Sequence, residues 1–225
     1  MEKKFIASCL VVAMATAGLA GCAKESYRSV PIQKVASADK PYVGARAPIA
    51  VGKFDNRSPF MRGLFADGVD RLGSQAKTIL VTDLQQTNRF IVLDRDNMGE
   101  FKQEAAIKQQ AQKLTGADYI ITGDVTEFGR KEVGDQQLFG ILGRGKQQVA
   151  YAKVSLNVVD SSTSVVVFSV QGAGEYTLSN REIVGFGGTA SYDSTLNGKV
   201  LDLAMREAVN HLTVAVDAGT WKPVK

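Results

Sequence analysis

Cysteine is almost absent. The chain of 225 residues has only Cys9 and Cys22, both near its start, so a disulfide framework or a cysteine-based metal cluster is excluded. One histidine, His211, would have to serve any Ser–His–Asp relay, and no G-x-S-x-G elbow accompanies it. Five prolines and no low-complexity run argue against extensive disorder. No charge sign dominates: 27 basic and 23 acidic residues give a formal +4. The basic residues are scattered, often next to acids, and form no nucleic-acid stripe. Acid pairs such as Asp94/Asp96 and Glu100/Glu104 read as ordinary surface charges. No metal, cofactor, nucleic-acid partner or enzymatic activity is expected. What is present, 44% hydrophobic and 22% charged residues, is ordinary for a globular protein.

The N-terminus carries more. Lys3 and Lys4 precede an apolar run, Phe5–Leu19, too short for a spanning helix of about 20 residues but right for a secretory signal over 1–21. Leu19–Cys22, "LAGC", resembles the lipobox of bacterial lipoproteins. That resemblance implies cleavage before Cys22 and acylation of its sulfur and new amino terminus, a multi-chain lipid anchor. Ala23 stands where inner-membrane lipoproteins carry an aspartate, so the expected location is the outer membrane, periplasmic side. Residues 22–47 lack periodicity and are read as a lipidated tether.

Beyond it, period-two and three-to-four-residue patterns alternate. Pro48–Phe54, Arg89–Arg95 and Ala117–Gly129 read as strands; 68–86, and a stretch from an Asp96 cap to about Gly116, read as helices. Strands Val149–Asp160 and Val165–Val170 form an antiparallel pair through "SSTS", and a last helix covers about 197–216. The fold class is α/β (α+β), a sheet with packed helices over 48–225. Two excursions, 129–148 and 170–193, leave that sheet and return. "GILGRGKQ" (140–147) resembles a phosphate loop, but Gln147 replaces the required hydroxyl and a strand pattern follows, so it reads as a hairpin tip.

The second excursion alternates. Val170, Gly172, Gly174, Tyr176 and Leu178 fall on one face, and Val184, Phe186, Gly188, Ala190 and Tyr192 on one face of the return strand. Each half is about 9 residues long, the length of a tilted membrane-spanning strand. On that reading Phe139, Ile141, Leu142, Val170, Tyr176, Leu178, Val184, Phe186 and Tyr192 face lipid, while Gln171, Glu175, Thr177, Thr189, Ser191 and Asp193 face water. Four strands cannot close a barrel, so several copies would have to pool theirs. A soluble β-ribbon packed on its own domain fits the same alternation.

Cys22, "FGI" (139–141), "VSLNVVDSST" (154–163), "SVQGAGEYTL" (169–178) and "GTW" (219–221) together resemble the curli production assembly/transport family of outer-membrane lipoproteins. The resemblance implies a homo-oligomeric ring of lipid-anchored subunits, a multi-chain transmembrane barrel, a cargo of unfolded protein subunits and accessory periplasmic proteins. It also implies a pore loop with a tyrosine and an Asn–Phe pair. Those places here are Gly63, Asp67 and Gly68, which leaves Leu64 and Phe65 as the nearest bulky constriction candidates. The competing reading is a non-pore periplasmic adaptor that adds strands to a partner. A hydrolase built on His211 is a distant third.

Overall fold

A computed structural model describes residues 29, 31–60, 70–136, 144–182 and 196–223. The chain divides into Met1–Gln33 and Lys34–Lys225. The second unit carries β1 (Ala47–Asn56), α1 (Arg71–Thr87), β2 (Phe90–Leu93), α2 (Met98–Ile107), β3 (Tyr119–Gln136), β4 (Arg144–Asp160), β5 (Val166–Glu182) and α3 (Leu196–Asp217).

Leu72, Ala76, Leu80 and Leu84 recur at four-residue steps, which gives α1 one buried stripe. Asp70 caps its start by accepting the amide of Gly73 at 2.8 Å, and Asn88 ends it in the left-handed region at φ 58°. The last helix, α3, buries Val200, Leu201, Ala204, Met205, Ala208, Val209 and Leu212 by the same spacing. These two helices pack on one face of a five-stranded sheet of order β2-β1-β3-β4-β5. Strand β1 lies parallel to β2 and β3, and β4 is antiparallel to both β3 and β5. The sheet thus joins a parallel α/β half to an antiparallel ribbon. Ile49, Ile121, Val154, Leu156 and Val158 fill the core between sheet and helices. Trp221 closes one end of it, stacked on Phe168 at 5.9 Å and edge-on to Tyr119 at 5.3 Å.

Several expectations change. The folded unit starts at Lys34, well before Pro48, because Val35 and Ser37 are buried. Residues 34–47, read as part of the tether over 22–47, belong to this unit. Helix α2 stops at Ile107 instead of about Gly116; Gln109 takes a positive φ of 51°, which a helix cannot continue through. Its N-cap is Asn97, not Asp96, and it buries no residue, so the apolar spacing of Met98, Phe101 and Ala105 does not mark a packed helix.

The larger change concerns the excursions. Strand β5 does not end at Val170. It runs unbroken to Glu182 and pairs with β4 as far as Arg144↔Glu182. Likewise β3 and β4 stay paired from Tyr119↔Asp160 to Gln136↔Arg144. What the sequence presents as departures are, over their described lengths, continuations of the same sheet.

The reason lies at Gly172 and Gly174. A Cβ at Gly172 would collide with the carbonyl of Ala204 and the amide of Ala208, and one at Gly174 would lie 3.0 Å from the Ala204 amide. Small residues on both sides let the α3 backbone rest directly on β5. Gly172→Ala is therefore expected to destabilise the fold by about 1–3 kcal/mol, since the close-packed backbones must separate. In a thermal melt that is a loss of roughly 2–10 °C. Gly99→Ala, where an added methyl meets nothing within 4 Å, should leave the melting temperature unchanged or slightly raised.

Candidate functional site

The ribbon of β3, β4 and β5, with the α3 helix across it, holds every described residue that the sequence pattern singles out. Val170 and Leu178 do not face outward. Both are partly buried against the core, on the face that α3 covers. Tyr176 lies on the same face, beneath the Lys199 ammonium at 5.4 Å from the ring centroid. The lipid-facing assignment of Val170 and Leu178 is thus corrected, because α3 occupies that side of β5 there, while Tyr176 stays 39% exposed. Gln171, Glu175 and Thr177, on the other side, are exposed. His211 clips the two layers together: Nδ1 lies 2.8 Å from the Gln171 carbonyl and Nε2 3.0 Å from the Glu207 carboxylate. Cys22, Leu64, Phe65, Phe139, Ile141, Leu142, Val184, Phe186 and Tyr192 lie outside the described residues, as do Thr189, Ser191 and Asp193.

Leu196, the first residue of α3, is fully buried, and Leu178 on β5 is partly buried against the core. By register the level of Leu178 passes through Gln148 on β4 and Glu132 on β3. About 15 residues then join Glu132 to Gln148, and about 17 join Leu178 to Leu196.

Two charged groups are absent from the sequence-level reading. Arg89, only 2% exposed, donates to both Asp217 carboxylate oxygens at 3.1 and 2.8 Å and to the carbonyls of Ser37 and Thr87 at 3.2 and 2.6 Å. It also stacks on Tyr42 at 5.1 Å. Ala36 donates to Asn210 at 2.9 Å. Together these contacts tie the incoming chain to the ends of α1 and α3. The second group is Asp83, on α1, buried opposite Asp202 and Arg206 of α3. Arg206 donates to Asp202, and Oδ2 of Asp83 has no hydrogen-bond partner among the described residues. An aspartate followed by leucine on an apolar stripe was the one available signal.

Residues 31–224 match the family model described as curli production assembly/transport component CsgG. The chain belongs to this family. Its relatives include the candidate lipoprotein NMB1126/NMB1164 of Neisseria meningitidis serogroup B, 65% identical over 220 residues, which cover 98% of this chain and 99% of that one. Among solved structures, the lipoprotein GNA1162 of Neisseria meningitidis is 17% identical with a TM-score of 0.35, over 77% of this chain and 98% of that one. The PelC dodecamer of Paraburkholderia phytofirmans is 15% identical with a TM-score of 0.38, over 76% and 91%. Within this CsgG-family chain the resemblance seen in the sequence is thus shown at family level.

Burial raises the Asp83 carboxyl to about 7, the charge of Asp202 adds to the rise, and Arg206 offsets part of it. A carboxyl raised in the folded state binds more protons folded than unfolded, so stability falls as pH climbs from about 4 to about 7 and stays lower above. Asp83→Asn should therefore stabilise the protein by about 1–3 kcal/mol at pH 8 and by little at pH 5. Urea unfolding at the two pH values reads the difference.

Proposed function

We propose that this chain is a lipid-anchored subunit of an oligomeric assembly/transport component at the periplasmic face of the outer membrane, with its ribbon working in water. Membership of the CsgG family and the 65% identical relative of lipoprotein name support the class. The observation that carries the non-spanning form is the α3 cover of β5, which takes up the apolar face of that strand through Val170 and Leu178. Cys22 anchors the chain, several copies assemble through their ribbons, and a polypeptide cargo or accessory periplasmic protein is the partner. Backbone groups along β5, the last strand of the sheet order, suit pairing with an added strand.

The second reading is a curli-type secretion channel, in which the ribbons of a ring pool into one barrel for unfolded protein subunits. Its support is the sequence alternation that continues from Val170 to Tyr192. Leu64 and Phe65 would then be the candidate constriction.

Extraction separates the two. Replacing Cys22→Ser should release the non-spanning protein quantitatively into the periplasmic fraction, with nothing left in carbonate-washed membranes. A barrel former would stay partly membrane-associated without its lipid. Retention of the Cys22→Ser protein after the wash would overturn our first reading in favour of the second.

A further inference from the structure

Among the described residues, β2 and β5 are the outer strands of the sheet, so one side of each backbone has no ladder partner. Sheets usually blunt such edges with charge, proline or a covering element. Neither edge here does so. Phe90–Leu93 is the whole of β2, and the stretch that opens β5 is Val165–Phe168; neither holds a charge or a proline. Ile91 on one edge and Val165 and Val166 on the other are about half exposed.

The strand register joins these two edges. Leu93 pairs with Ala50, Ala50 with Ile120, Ile120 with Val159, and Val159 with Val166. Residues opposed in a ladder share one face of the sheet. Their sequence neighbours Val92, Ile49, Ile121 and Val158 lie in the core or pack against it, so this row lies on the face turned away from α1 and α3. The row is apolar from edge to edge. It ends on Leu93 at β2 and on Val166 at β5, two levels that match across the width of the sheet.

The two ends suit each other. Strand β2 offers four residues. On β5 the Gln171 carbonyl lies 2.8 Å from Nδ1 of His211, so the stretch left free before it is of similar length. Strand β1 runs parallel to β2 and β3, and β5 returns to that direction through the antiparallel β4. A second copy set beside the first in the same orientation therefore brings its Leu93 next to Val166, with β-branched and aliphatic side chains on both sides of the junction. An unrelated strand would cover one edge and leave the other open. A head-to-tail contact between copies covers both edges of every copy and closes into a ring where the rotation permits.

We infer that successive copies of this chain join edge to edge, β2 of one beside the start of β5 of the next, so that the apolar row runs on from sheet to sheet. The inference rests on the oligomeric part of the proposed function and names the two surfaces that build the assembly.

The test uses the full-length acylated protein in detergent micelles, with its assembled mass read first by light scattering. Leu93→Cys and Val166→Cys combined in one chain stand four strand spacings apart, roughly 19 Å, so no disulfide can close within a copy. Mild oxidation of this double variant is expected to give a ladder of covalent dimers, trimers and larger species. Each single variant, which can form a dimer at most, is expected to give none, because the contact joins two different edges. Val166→Lys places a charge at an exposed edge position; it should reduce the assembly to monomers and leave the melting temperature unchanged. An assembly whose double variant yields no ladder, whose single variants cross-link, or which survives Val166→Lys at full mass would overturn this inference alone. A parent protein that is monomeric throughout would overturn the oligomeric reading and this inference with it.

Discussion

The close seat of α3 on β5 controls the rest of the structure. Two glycines opposite Ala204 and Ala208 allow a helix backbone and a strand backbone to touch. Once that contact is made, the apolar face of the ribbon is used up inside the molecule. Phe168, Val170 and Leu178 join the core instead of presenting themselves to a second phase.

The molecule that results is polar from end to end. One pole holds the incoming chain, the Arg89–Asp217 pair and the Trp221 cluster. From the other run the ends of β3 and β5 and the start of β4. Between them lies a sheet that changes from parallel to antiparallel at β3, so a compact α/β body passes directly into an extendable ribbon. A CsgG-family subunit of this shape can present strand edges to neighbours or cargo without placing them in lipid, where unpaired backbone would be costly.

Much of this was legible in the sequence, and the parts that were not have physical causes. Repeats of three and four residues placed α1 within a few residues of Arg71–Thr87 and α3 within one residue of Leu196–Asp217, because burying one stripe demands that spacing. Alternation located β1, β3, β4 and the start of β5. It could not say what the apolar face of β5 touches. Lipid, a partner and the chain's own helix all ask for a small or apolar residue at every second position, and only the pairing of Gly172 with Ala204 and Ala208 distinguishes them. Arg89 and Asp83 escaped notice because each sits among ordinary surface charges in sequence and is buried only by contacts from distant segments. The docking of Val35 and Ser37 was hidden likewise, in a stretch with no periodicity of its own.

The central proposal is that the ribbon, with α3 seated on β5, works in water and does not cross a bilayer. Conductance across a planar lipid membrane tests it most directly, using the acylated protein purified in its oligomeric form. The account predicts a membrane that stays electrically silent at all protein concentrations that coat it. Stable unitary conductance steps, abolished when Phe186 is replaced by arginine, would contradict it.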